Sequence, residues 1–316
     1  MTRGGFAAVK LNYERRGAGE PLVLIHGFGH HWYAWEPVLD RLAATHDVIA
    51  IDLPGFGSSP MPAIDQPPTM AGTVHAIAAF LDQLGVHRPH VAGNSLGGGI
   101  ALEFAAAGHA ASVTAFAPAG FFTDWERRWA VTLLRLHRAT ARLPVSFIEQ
   151  AMQVPALKAL TFSAVVARPD RIAPERALSD ALALRNGPAF EPVARASRGY
   201  TFAGRPTVPV TVAWGTRDRI LPYWQAKRAQ ERLPHARHVA MPGCGHVPMG
   251  DDPDLVASII LDTTAAAIRQ AVEAATMRET RAGANRPTRA STATVRKSPP
   301  RKGPNRGRRV SRGSNR

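Results

Sequence analysis

Short, nearly continuous apolar runs alternate along this chain with stretches of helical periodicity, and that alternation limits the fold more than any other feature. The runs are Val9–Tyr13, Leu22–His26, Val48–Asp52, His90–Gly93, Val113–Ala117, Val208–Trp214 and His238–Met241. Helical patterns fall near Trp35–Ala44, Thr69–Leu84, Leu96–Ala107, Tyr223–Leu233 and Pro253–Ala274. Strands apolar on both faces and separated by helices predict an α/β fold, a mainly parallel doubly wound sheet covered on both sides. The alternation lapses between Phe122 and Arg205, where helical stretches are punctuated by Pro144, Pro155, Pro169, Pro174, Pro188 and Pro192. That segment is expected to form an inserted helical lid. The expected division is therefore a core in two parts, 1–121 and 206–277, a lid over 122–205, and a tail over 278–316.

The charge sits mostly in that tail. The 316 residues carry a formal balance of +15, yet thirteen Lys/Arg and one acid lie between Arg278 and Arg316. A tail rich in Pro, Gly, Ser and Arg with few large apolar residues cannot bury enough surface to offset its ordering entropy, so disorder is expected there. Such a tail can touch nucleic acid or anionic surfaces through charge alone, but it lacks the interleaved aromatics that base stacking requires. The lid carries thirteen Lys/Arg and seven acids, which a solvated amphipathic face explains more simply than an anionic substrate does. An apolar content of 45% excludes a wholly disordered chain. No uncharged apolar run of about 18 residues and no signal-like N-terminal stretch is evident, so no membrane span is expected. With the single Cys244 no internal disulfide can form, and a cytoplasmic location is expected.

Gly93-Asn94-Ser95-Leu96-Gly97 follows one apolar run directly and precedes a helical pattern directly. A sharp strand-to-helix turn in this setting holds a serine hydroxyl clear of the sheet edge, with glycines allowing close backbone approach. The start of the following helix favours a developing oxyanion. A G-x-S-x-G string alone is weak evidence, but three further segments accompany it. His26-Gly27-Phe28-Gly29 ends an earlier apolar run, Asp218 lies just past a later one in Trp214-Gly215-Thr216-Arg217-Asp218, and His246 follows the last in Gly243-Cys244-Gly245-His246. A serine becomes a nucleophile when an adjacent base takes its proton, and a buried carboxylate fixes the base's tautomer.

With the order Ser95, Asp218, His246, and with Asp52-Leu53-Pro54-Gly55-Phe56-Gly57-Ser58-Ser59 as a further familiar turn, the chain resembles the α/β-hydrolase superfamily over roughly residues 9–275. The resemblance implies Ser95 as nucleophile, His246 as base and then acid, Asp218 as orienting carboxylate, and the backbone N–H groups of Phe28 and Leu96 as oxyanion hole. His26 and Gly27 would shape the oxyanion loop by hydrogen bonding. It implies a lidded serine hydrolase acting on a small acyl substrate, a largely apolar ester, with neither metal nor organic cofactor. Dehalogenases and epoxide hydrolases of this fold attack with aspartate, where this chain has Ser95. Carbon–carbon hydrolases of ring-cleavage products share the Gly93-Asn94-Ser95 elbow, but the Gly-Pro-Gly run they often carry is replaced here by Phe28-Gly29-His30-His31. Cofactor-free haloperoxidases or perhydrolases share the triad. A ligand-binding receptor on the same fold is the rival of another class.

Quieter residues carry expectations too. Asp124 competes with Asp218 for the acid position. Asp251, Asp252 and Asp254 are expected to start the last helix, where acids suit the dipole. His30 and His31 are expected on the surface or pocket wall for want of a third metal ligand. Cys244 is read as filler in a tight loop and Asp52 as a turn-bonding group. Some of Phe28, Trp32, Trp35, Phe121, Phe122, Trp125 and Trp129 are expected to face an apolar subsite.

Overall fold

A computed structural model describes residues 10–62 and 68–284, with Gly303; of 279–284 it describes the backbone alone. Seven strands form one sheet: β1 (Tyr13–Arg16), β2 (Glu20–Ile25), β3 (His46–Ile51), β4 (His90–Asn94), β5 (Ser112–Phe116), β6 (Val210–Gly215) and β7 (Arg237–Met241). The spatial order is β1-β3-β2-β4-β5-β6-β7, with all pairs parallel except β1 against β3. This is the expected doubly wound α/β sheet.

Period-two alternation explains why the runs are apolar throughout. Val23 and Ile25 of β2, with Ile49 and Ile51 of β3, face one helical layer, where α2 (Met70–Gln83) and α3 (Leu96–Ala106) pack. Leu22, Leu24, Val48 and Ala50 face the other, against α1 (Glu36–Ala43) and α10 (Pro253–Ala284). Each Leu or Ile buried this way contributes about 1.5–3 kcal/mol relative to exposure, so a register slip would be costly.

Between β5 and β6 the chain makes five helices: α4 (Asp124–Thr140), α5 (Val145–Gln153), α6 (Pro155–Phe162), α7 (Pro174–Asn186) and α8 (Phe190–Ala196). Proline sits at the first turn of α6 and of α7, where its missing N–H costs nothing. A capping box starts α4: Thr123 accepts from Glu126 N–H, and Glu126 accepts from Thr123 N–H. Glu126 also receives Arg228 Nη2 and Trp224 Nε1, both at 2.5 Å, which ties the insertion to α9 (Gln225–Arg232). Burial opposes ionisation of this carboxyl, but the Arg228 bond and its other donors hold it down at about 2.

Three expectations shift. The first strand starts at Tyr13, where the expected Val9–Tyr13 run ends; Val9 lies outside the described residues. The expected tail boundary at 278 falls inside α10, which continues to Ala284, and the rest of the expected disordered tail, apart from Gly303, lies outside the described residues. The stretch Pro253–Arg278 of that helix reaches the length and mean hydropathy of a membrane span, 1.4 over its best window. It carries Asp262 and Arg269, and Val256, Ala257, Ile259 and Ile260 of its first half pack into the core. The chain divides into compact units at 1–272 and 273–316, and the five-helix insertion belongs to the first.

Candidate active site

Ser95 occupies the turn between β4 and α3 with φ +57° and ψ −116°, a conformation that is strained for any residue with a side chain. The turn is held by Ser95 N–H donating to Phe116 O at 2.9 Å, and by Ala119 N–H donating to Ser95 O at 2.9 Å. Two glycines make it possible. A Cβ on Gly93 would sit 2.1 Å from Gly97 O, and one on Gly97 would sit 2.2 Å from Ile25 O. Both positions are closed to any larger residue by backbone, which cannot swing aside as a side chain can. The helix α3 begins at Leu96, so its first N–H groups have no partner within the helix and remain available to an anion.

His246 lies on the loop after β7, and its Nδ1 is 2.7 Å from Asp218 Oδ2, with both side chains buried. The other Asp218 oxygen, Oδ1, accepts from Ile220 N–H and Leu221 N–H, each at 2.9 Å. The carboxylate is thus clamped by its own loop and turned toward the imidazole. Asn94, next to Ser95, donates from Nδ2 to His246 O at 2.9 Å and fastens the two loops together.

The loop after β2 is equally fixed. His26 is wholly buried; its Nε2 accepts from Leu53 N–H at 2.9 Å, so its proton rests on Nδ1 and is donated to Gly27 O at 2.7 Å. Burial holds this imidazole neutral, with its pKa pushed down to about 3. Asp52 accepts from Trp32 N–H at 2.7 Å and from Ser58 N–H at 2.8 Å, bonding its own turn to this loop. Phe28 stacks on Phe190 of α8 with ring centroids 4.5 Å apart.

Gly27, Phe28, Ser95 and His246 line one cavity of about 260 Å³ whose remaining wall is mostly aliphatic, from Leu134, Ile148 and Met152 to Leu157. A second cavity of about 90 Å³ also reaches Ser95, Leu96 and Phe28. Ser95 therefore stands where two apolar spaces meet.

A sequence profile of the alpha/beta hydrolase family matches residues 22–259. The chain belongs to the alpha/beta hydrolase family. It is 30% identical over 270 residues to the uncharacterized protein Rv2715 of Mycobacterium tuberculosis, covering 78% of this chain and 77% of that one. Over 102 residues it is 41% identical to the 2-hydroxymuconate semialdehyde hydrolase of Pseudomonas sp. CF600, covering 31% of this chain and 36% of that enzyme. Some curated relatives are matched over a small part of their length, 30% for the dihydrolipoyllysine-residue acetyltransferase component of the acetoin cleaving system of Cupriavidus necator. Among solved structures, a thermophilic esterase from Thermogutta terrifontis superposes with a TM-score of 0.63 at 23% identity, covering 82% of this chain and 94% of that one.

Within this fold, Ser95 and His246 line one cavity, and Asp218 pairs with His246. Asp124 lies apart from that pair: it opens α4 with its side chain 71% exposed and pairs with Arg127. Asp252 and Asp254 do flank the start of α10, Asp252 Oδ1 capping Leu255 N–H and Asp254 pairing with Arg41. Asp251 departs from the expectation. It is buried and accepts from Gly245 N–H at 2.7 Å, Ala167 N–H at 3.0 Å and Arg168 N–H at 2.7 Å, so it joins the His246 loop to the insertion. Burial raises the Cys244 thiol to about 11, which leaves it inert beside the histidine loop. Of the aromatics singled out, Phe28 lines the larger cavity and Phe122 the smaller, whereas Trp35 is core and Trp125 and Trp129 stack on each other at the surface. His30 lines the larger cavity beside Asp180 of α7, a neighbour that lies 150 residues away in sequence and was missed for that reason.

Proposed function

We propose that the chain is a serine hydrolase that cleaves a small, largely apolar ester or related acyl compound through an acyl-enzyme on Ser95. The observation that carries the proposal is the buried Asp218–His246 pair at 2.7 Å, whose His246 lines one apolar cavity together with a strained Ser95. Asp218 accepts from His246 Nδ1–H, which leaves Nε2 as the basic nitrogen. His246 takes the Ser95 hydroxyl proton as Oγ attacks the carbonyl carbon. The oxyanion that forms is held by the N–H groups of Phe28 and Leu96, a type of contact worth about 10²–10³ in turnover per donor. The intermediate collapses, His246 returns the proton to the leaving alcohol, and the acyl group stays on Ser95. Water then gives a proton to His246 and attacks the acyl carbon, releasing the acid and restoring the serine. These steps need no metal and no organic cofactor. The two apolar cavities meeting at Ser95 suit a substrate with one larger and one smaller apolar arm.

A second reading, hydrolysis of a carbon–carbon bond in a ring-cleavage product, is favoured by the local 41% identity to the semialdehyde hydrolase. A panel of nitrophenyl esters, a vinylogous diketo acid and peroxide-dependent bromination separates these readings. The ester reading expects the largest kcat/KM on a medium-chain nitrophenyl ester, with loss of that activity in Ser95→Ala. Faster turnover of the diketo acid would replace it with the second reading, faster bromination would point to haloperoxidase chemistry, and no turnover of any member would favour a ligand-binding role.

A further inference from the structure

We propose that His30, His31 and Asp180 form a binding site for a divalent transition-metal ion of the zinc type, joining the loop after β2 to helix α7 of the insertion. Among the described residues these three are the one group of His, Cys, Asp and Glu that brings three ligand atoms within 4.8 Å of one another. Asp180 Oδ1 lies 3.5 Å from His30 Nε2 and 3.5 Å from His31 Nε2. Both separations exceed the 2.7–3.2 Å of an N–H···O hydrogen bond. Asp180 Oδ1 is buried with no hydrogen-bond partner, a state that ordinarily destabilises a fold.

The same spacing suits a shared ion. Zinc bonds of about 2.0–2.1 Å to nitrogen and oxygen set tetrahedral ligands roughly 3.3–3.4 Å apart, close to the N···O separations here. The two imidazoles stand side by side, interplanar angle 19° and centroids 5.5 Å apart. Their Nε2 atoms thus meet the same oxygen. Two imidazoles and a carboxylate make up a donor set that zinc accepts, with the fourth position left to water from the cavity that His30 and Asp180 line.

The surroundings support ligation as well. Arg176 Nε lies 3.9 Å from the second Asp180 oxygen, and Arg176 is itself anchored by donating to Ala34 O at 2.9 Å. Such an outer contact orients a ligating carboxylate. His31 N–H donates to His30 Nδ1 at 3.0 Å, which places the proton of the neutral ring on Nε2. On ligation that proton gives way to the ion and Nδ1 becomes the protonated nitrogen, so this local hydrogen bond is exchanged for a metal bond.

The site does not depend on Ser95 chemistry, and its test is independent of turnover. The full chain is stripped with a chelator, exchanged into chelator-free buffer, and titrated with zinc chloride by calorimetry and with cobalt(II) chloride by visible absorption. The expected result is one ion per chain, with the strong visible band of four-coordinate cobalt. Asp180→Asn and His31→Ala should each weaken binding by about tenfold or more, and Ser95→Ala should leave it unchanged. Circular dichroism confirms that each variant is folded, and His31→Ala keeps the test open should Asp180→Asn fail to fold. Absence of stoichiometric binding to the wild-type chain would overturn the site. So would binding that survives in both variants, or binding that is lost in His246→Ala while Asp180→Asn retains it.

Discussion

The Asp218 carboxylate has two distinct tasks, and a single substitution separates them. Its Oδ1 accepts the backbone N–H groups of Ile220 and Leu221, while Oδ2 faces His246 Nδ1. Asparagine keeps the first task through its carbonyl oxygen and reverses the second, since its amide now presents a donor where an acceptor stood. The imidazole answers with an unprotonated Nδ1, which puts the proton on Nε2 and removes the base from Ser95. Asp218→Asn should therefore lower kcat by about 10³–10⁴-fold with KM little changed and the melting temperature nearly preserved. Steady-state kinetics beside thermal unfolding checks this, and a kcat within tenfold of wild type would place the orienting acid elsewhere. The place of Asp218 was legible in the sequence because a carboxylate just past an apolar run is confined to one end of a parallel sheet. What it accepts from its own loop was not legible, because Ile220 and Leu221 read only as apolar filler.

At the scale of elements, the elbow and the strut at Asp251 carry separate predictions. Gly97→Ala drives a Cβ into Ile25 O, so the variant should fold poorly or lose several degrees of melting temperature along with its activity. Asp251→Ala deprives the N–H groups of Gly245, Ala167 and Arg168 of their acceptor at once. At about 1–3 kcal/mol for a buried group left unpaired, which is Gly245 N–H, and less for the part-buried bonds to Ala167 and Arg168, a loss of roughly 3 kcal/mol in urea unfolding is expected, with a fall in kcat larger than any change in KM. A change in KM alone would show that the strut does not position His246. Five of the seven strands, β2 to β6, were readable because they are largely buried on both faces, whereas at the sheet edges β7 is only partly buried and β1, Tyr-Glu-Arg-Arg, offers only half-buried alternation. Acids near a helix start suggest capping, which holds for Asp252 and Asp254 but not for Asp251, two of whose three backbone partners, Ala167 and Arg168, lie 84 and 83 residues upstream. The boundary at 278 followed charge rather than helix propensity, so the end of α10 was set too early.

At the scale of the whole molecule, buried neutral histidines should make the fold sensitive to acid. Burial, the largest cause in each case, pushes His26 down to about 3, His90 to about 4 and His46 in the same direction. The unfolded chain titrates these groups near 6.5. Below that pH the unfolded state binds protons that the native state refuses, so stability falls as pH drops from about 6.5 toward 4. The slope is at most about 1.4 kcal/mol per pH unit for each histidine. Glu126, held down at about 2, loses its contribution only below its unfolded value of 4.5, so the upper part of the window belongs to the histidines. Urea unfolding at pH 7, 5.5 and 4.5 should show a progressive decline of a few kcal/mol, and a flat profile would mean that these rings accept protons in the folded protein. The parallel sheet, its two apolar layers and the order of the site residues could be read from the chain, because each follows from a local pattern. The pairing of His30 and His31 with Asp180 could not, because it exists only once α7 lies beside the loop after β2.

The claim that Ser95 is an activated nucleophile is tested most directly by reaction of the folded chain with a fluorophosphonate, followed by intact mass and peptide mapping. The predicted result is one adduct per chain, on Ser95, formed rapidly in the wild type, slowed in Asp218→Asn and His246→Ala, and absent in Ser95→Ala. No adduct on the folded wild-type chain, or an adduct that persists in Ser95→Ala, would contradict the assignment.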